Sequence, residues 1–214
     1  MRPYIIGICG GSGSGKTSFI RRLRQHFDEA DVCIISQDDY YLPMTEQEKD
    51  EQGIENFDLP KSIDKKLLRE DLEALLRGET LERLEYVFND DSAERKPIII
   101  RPAPVVVVEG LFVFHYKRLS SLFDLKIFIS SKENLKIIRR ILRDRAERNA
   151  SLEDVLYRYE HHVLPAYEKF IAPYRESSDL VVNNNHDFDR GLAVVEGFVR
   201  SKLASFAQPQ GSPH

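Results

Sequence analysis

The sequence predicts an α/β fold: a three-layer sandwich in which helices cover both faces of a five-stranded parallel sheet. Two observations carry that expectation. Short, continuously apolar runs rich in Val and Ile alternate with longer segments whose apolar residues recur at helical spacing, as in successive βαβ units. The short runs also lack a polar alternate face, as strands covered on both sides do. With 214 residues, 42% hydrophobic and 31% charged, the chain has an ordinary globular composition and a length suited to one domain, expected over residues 1–207.

The expected strands are Tyr4–Cys9, Val32–Ser36, 105–109, 125–129 and Leu180–Asn183. Helical spacing places helices over residues 16–27, 63–77, 133–148, 152–170 and 188–204. In the second of these, Ile63, Leu67, Leu68, Leu72, Leu75 and Leu76 form one stripe, with Ser62 as the expected cap and Gly78 as the stop. Residues 84–88 and 97–101 flank a polar loop and read as a β-hairpin, an insertion of about 84–102. Pro102 and Pro104 separate it from the next core strand, and insertions of this kind build substrate sites. The Pro-, Gly- and Ser-containing tail, 208–214, is expected to fray.

Several classes are disfavoured. A net charge of −4 argues against a nucleic-acid partner, and the longest apolar runs are too short to cross a bilayer. The chain opens directly into strand-like Tyr4–Cys9, and its two cysteines, Cys9 and Cys33, read as buried free thiols; a cytoplasmic, membrane-free protein is expected.

Gly10-Gly11-Ser12-Gly13-Ser14-Gly15-Lys16-Thr17 matches G-x-x-x-x-G-K-[ST] between an expected strand and an expected helix. Glycines let the backbone wrap so that amides face a phosphate chain, and the helix start adds its positive end. In this P-loop reading Lys16 reaches the outer phosphates, the Thr17 hydroxyl ligates Mg²⁺, and Ser18 follows in the same turn. Glu109, ending the run Val105-Val106-Val107-Val108, is a second expected metal ligand. The strand Val32–Ser36 runs into Asp38, Asp39, Tyr40 and Tyr41, where a carboxylate can act as general base and touch the metal shell; periodicity does not choose between Asp38 and Asp39. Arg139, Arg140, Arg143, Arg145 and Arg148 fall on the basic helix Glu133–Arg148, which suits a lid over phosphates, although Asp144, Glu147 and Glu153 could equally pair them on a solvated face. Asn56-Phe57-Asp58-Leu59-Pro60 by itself reads as an Asx turn, and His161 and His162 as structural side chains.

Taken together, GGSGSGKT, QDDYY, NFDLP, VVVVEG, RRILRDRAER and LPAYEKFIAPYRESSDLVV resemble the uridine kinase branch of the uridine kinase/phosphoribulokinase family, over most of the chain. The resemblance implies a P-loop NTPase fold, ATP or GTP with Mg²⁺, a nucleoside-like small-molecule acceptor and a homo-oligomer. It places the catalytic base on Asp38, which would also contact acceptor and metal. It places catalytic cations on Lys16, Arg139 and Arg143, and nucleotide contacts on residues 10–18 and Arg140. Acceptor contacts fall on Tyr41, Asp58, Tyr86 and Arg148. Two positions depart from the family pattern near the base: Asp91 stands where a histidine is expected and Asp154 where a glutamine is expected. Alternative acceptors are therefore a nicotinamide-type riboside, pantothenate or a sugar phosphate. A nucleotide-binding regulator is the reading from another class.

Overall fold

The computed structural model describes residues 2–84 and 96–207. In chain order its elements are β1 (Tyr4–Cys9), α1 (Lys16–Arg24), β2 (Val32–Ser36), α2 (Lys65–Leu76), β3 (Leu81–Leu84), β4 (Pro97–Ile100), β5 (Val105–Gly110), α3 (Lys117–Ser120), β6 (Leu125–Ser130), α4 (Glu133–Arg148), α5 (Leu152–Arg158), α6 (Leu164–Phe170), β7 (Leu180–Asn183) and α7 (Asp189–Ala207). Five strands form one parallel sheet in the order β2-β5-β1-β6-β7.

Successive strand residues point to opposite faces, and this parity divides the core in two. Ile5, Cys9, Cys33, Ile35, Val106, Val108 and Phe128 point to one face, where they meet Leu68, Leu72 and Leu75 of α2. Ile6, Ile8, Val105, Val107, Ile127 and Ile129 point to the other, against Phe19 and Leu23 of α1 and Leu192, Val195 and Val199 of α7. The result is the expected three-layer sandwich, each fully buried apolar side chain contributing about 1.5–3 kcal/mol. Both cysteines are free and buried. Among the described residues no helix is long and apolar enough to cross a membrane.

Several expectations need correction. Helix α1 stops at Arg24, earlier than expected, and α7 runs on to Ala207. Strand β7 lies at the sheet edge, so Val181 is exposed where continuous burial was expected. Ser62 does not cap α2. That role falls to Asp64, whose carboxylate accepts from Lys66 N and Leu67 N. Ile63 instead bridges Tyr41, and the Ser62 hydroxyl donates to Asn56 O. The helix ends as expected: Gly78, at φ +86°, donates to Leu75 O and Glu79 to Ala74 O, a Schellman closure.

The segment expected as one helix over 152–170 carries a π turn, Tyr159–Val163, in which Leu164 N–H reaches Tyr159 O. Pro165 follows at once; it has no N–H to donate and would crowd the carbonyl four residues back, and the wider turn relieves both. The hairpin pairs Leu81–Leu84 with Pro97–Ile100, so its first strand starts earlier than the expected 84–88; residues 85–88, with Tyr86 and Asp91, lie outside the described residues, as do 208–214.

Substitution Asp64→Ala removes both cap hydrogen bonds from α2 and is expected to cost about 1 kcal/mol in urea unfolding. A loss below a few tenths would mean the cap contributes nothing to α2.

Candidate active site

At the carboxyl ends of β1, β2 and β5 the departing loops, together with α4 and α5, line a cleft of about 710 Å³. This is the edge of an open parallel sheet at which ligands collect, and the volume is that of a small-molecule site.

The phosphate-type loop is held open by its neighbours. Gly13 and Gly15 adopt φ of +75° and +99°, left-handed values that β-carbon-bearing residues avoid. A Cβ on Gly13 would strike the Lys136 backbone of α4, and one on Gly15 would strike the Asn184 side chain. Asn184 follows β7 and donates Nδ2 to Ser14 O at 2.8 Å, so the loop rests on the far strand of the sheet. Gly15 precedes α1 with no side-chain cap, which leaves the helix's first amides for an anion. Lys16 Nζ folds back to Gly10 O at 2.9 Å and Gly11 O at 3.4 Å, spanning the loop. The backbone nest, the bare helix start and the buried ammonium fit a polyphosphate.

Opposite the loop stand two carboxylates. The Ser36 hydroxyl donates to Glu109 Oε1 at 2.6 Å and accepts from Asp38 N at 3.3 Å, a joint that orders β2 against its register partner on β5. Glu109 is pushed up to about 7, first by burial and then by Asp38, against the pull of Lys16 and the Ser36 hydrogen bond. Asp38 lies open to the cleft but deep in the molecule, and its pKa is raised by desolvation, with Lys16, Arg148 and Arg143 opposing. Thr17, Asp38 and Glu109 all line the cleft, a hard-oxygen set suited to Mg²⁺. Among the described residues no three His, Cys, Asp or Glu side chains form a metal cage, so an ion here would draw its remaining ligands from water and phosphate. The choice between the paired aspartates is made by the short 3₁₀ turn Gln37–Tyr40: Asp38 lines the cleft and Asp39 does not.

Another wall of the cleft is built from Tyr41, Phe57 and Asp58. Tyr41 and Phe57 meet edge to face at 6.0 Å. The expected Asx turn is present, Asn56 Oδ1 accepting from Asp58 N at 2.9 Å, and Tyr116 OH braces the same loop through Pro60 O at 2.6 Å. A second brace joins it to the π turn: Asp50 Oδ2 accepts from Tyr157 OH at 2.8 Å and meets His162 Nε2 at 2.7 Å, while Arg158 donates to Glu55 O. Desolvation alone would raise the Asp50 carboxyl; hydrogen bonds from Ile54 N, His162, Tyr157 and Gln52 N outweigh it and hold the group well below the usual range. His162 is thus structural, as expected.

Helix α4 closes one wall with Arg139, Arg140, Arg143 and Arg148. Arg139 is tied to Ser131 Oγ and Asn184 O, at 3.1 and 3.0 Å. Arg140 is buried, with Nη1 3.0 Å from Ser12 Oγ and 3.8 Å from Asp58 Oδ1, so one guanidinium links the phosphate loop to the loop that carries Asp58. Arg145 is exposed and does not line the cleft. The lining or bracing residues that sequence reasoning does not single out for the site include Ser36, Arg21, Phe57, Asp144 and Arg158. Helical spacing from Thr17 would have found Arg21 and spacing from Arg140 would have found Asp144. No local pattern points to Ser36 or Arg158.

The model of the phosphoribulokinase/uridine kinase family matches residues 5–189. A uridine kinase of Bacillus pumilus (strain SAFR-032) is 36% identical over 205 residues, 94% of this chain and 98% of that one. A uridine kinase of Geobacillus sp. (strain WCH70) is 35% identical over 188 residues, 86% and 89% of the two chains. A solved structure of a possible uridine kinase from Bacillus stearothermophilus superposes with a TM-score of 0.56 at 20% identity, covering 85% of this chain and 89% of that one, a likeness of fold.

The raised Glu109 carboxyl makes a stability prediction for metal-free protein. Its folded pKa of about 7 exceeds the ordinary 4.5, so its contribution is fully present below 4.5 and is lost as pH rises through 7. In EDTA, Glu109→Gln is expected to melt about 7–14 °C above the parent at pH 8 and level with it near pH 4.5. A parent that melts higher at pH 8 would contradict a net cost for burying the Glu109 charge.

Proposed function

The chain belongs to the phosphoribulokinase/uridine kinase family, and on that premise we propose that it is a kinase transferring the γ-phosphoryl group of ATP to the 5′-hydroxyl of a nucleoside, uridine or cytidine, yielding the monophosphate. The observation that carries the reading is the sharing of one cleft by a phosphate loop and two separately mounted carboxylates, Asp38 and Asp58.

In this reading Asp38 is the general base. It lines the cleft together with the loop that would hold the donor phosphates, and a raised pKa brings a carboxylate nearer to the acceptor proton's demands. Asp58 receives the vicinal ribose hydroxyls. A carboxylate only accepts, which matches two O–H donors, and the Arg140 guanidinium stands 3.8 Å from Asp58 Oδ1. Tyr41 and Phe57 supply an aromatic wall to the acceptor. The loop amides of residues 10–18 and Lys16 hold the donor phosphates, and Arg139, Arg143 and Arg148 face the charge that develops in transfer. Thr17, Glu109 and Asp38 would hold Mg²⁺, which when bound neutralises phosphate charge.

Asp154, the departure from the family pattern in the described part of the base side, lines the cleft beside Val155 and Arg158. This favours an acceptor ring with an amino group, and cytidine over uridine, as the finer reading.

The test is an ADP-release assay with ATP–Mg²⁺ against uridine, cytidine, nicotinamide riboside, pantothenate and no acceptor. Nucleoside-dependent turnover is expected, with kcat falling about 10²–10⁴-fold in Asp38→Ala. Turnover with only a non-nucleoside acceptor, or ADP release without acceptor, would replace the reading. A second expectation concerns Asp58→Asn: KM for the nucleoside rises about 10–100-fold while KM for ATP stays within threefold. Equal rises in both would remove Asp58 from the acceptor site.

A further inference from the structure

On α4, residues four apart share a face, and Asp144 stands one turn after Arg140 and one turn before Arg148, with Arg143 adjacent. Asp144 is 4% exposed. Its Oδ1 accepts from Arg143 Nε at 2.9 Å and lies 3.6 Å from Arg148 NH1; its Oδ2 lies 3.2 Å from Arg140 Nε. Three guanidinium groups therefore converge on one buried carboxylate. Arg140 carries the connection further, to Ser12 on the phosphate loop and to Asp58 on the acceptor loop. Arg148 is itself half-buried, and its pKa is lowered by burial and then by Arg143, so the group is crowded by cations.

Like charges gathered on one helix face repel, and a long guanidinium side chain is costly to order. A fixed anion in their midst removes both difficulties before any phosphate arrives. We propose that Asp144 is the positioning residue of this cleft, a buried counter-anion that holds Arg140, Arg143 and Arg148 preorganised toward the phosphate loop. It touches no reacting atom in this assignment; it acts through the arginines. Preorganised cations need no rearrangement when charge develops on the transferred group, which is where rate is gained. The rate arm of the test rests on the nucleoside kinase reading; the stability arm does not.

The experiment compares the full-length protein with Asp144→Asn, which keeps shape and removes charge. In the first arm melting is followed with and without inorganic phosphate, at ionic strength matched with sodium chloride. The variant is expected to melt below the parent without phosphate and to recover at least half of the difference with it, because the anion replaces the missing carboxylate. An equal deficit in both buffers would mark Asp144 as a packing residue and overturn the assignment. In the second arm kcat is expected to fall about 100-fold with KM for ATP within threefold. A kcat within threefold of the parent would overturn it too. Should Asp144→Asn fail to fold, the double variant Asp144→Asn/Arg148→Gln removes one cation with the anion. It is expected to fold, and its failure would count against charge compensation. A parent protein inactive on every nucleoside would strike the functional reading alone and leave the phosphate arm as the test of Asp144.

Discussion

The glycine loop after β1 is walled by three other parts of the molecule: the end of β6 beneath Gly10, the α4 backbone against Gly13, and Asn184 beyond β7 against Gly15. At each contact a methyl group would collide, so backbone stands where side chains usually do. The amides can therefore face outward as an anion site only while β6, β7 and α4 keep their places. The order of the sheet serves that constraint: β1 sits at its centre, where neighbours on both sides reach the loop it launches. Close packing of this kind is stiff, and it transmits the position of one element to the next.

Charge is distributed around that loop in layers. Lys16 crosses the loop itself, Asp38 and Glu109 stand on the strand ends facing it, and the α4 arginines stand outside. A buried carboxylate is costly without a partner, and the rise of Glu109 to about 7 expresses the cost. Regions of this kind sacrifice stability for binding, because the ligand supplies what the empty site lacks. The arginine wall is different, since it is compensated from within by Asp144.

The wall that carries Asp58 is mounted by hydrogen bonds as well as by the packing of Tyr41 against the core and Phe57. Asn56, Ser62 and Tyr116 brace the turn that carries Asp58, and Asp50 ties the preceding loop to Tyr157 and His162. The π turn preceding Pro165 belongs to this mounting, because it carries His162. A helix defect next to one proline thus sits at the joint between the loop preceding Asp58 and the helices that follow the arginine wall.

Most of the framework was written in the chain itself. Continuous Val and Ile runs determined the sheet strands to within a residue, since a strand covered on both faces admits little else. The glycine spacing and Lys16-Thr17 determined the phosphate loop, because only that pattern permits its backbone. Local signals were weaker where partners come from afar. Asp64 rather than Ser62 caps α2 because Ser62 is committed to Asn56, a contact no helix rule contains. The lining of the cleft by Asp38 and not Asp39, the Ser36–Glu109 joint and the link from Arg140 on α4 to Ser12 on the phosphate loop were decided only by the tertiary structure. The physical reason is common to all three. A side chain's charge and hydrogen-bonding capacity belong to its sequence, but which group receives them depends on strands and helices far apart in the chain being brought within about 3 Å of one another.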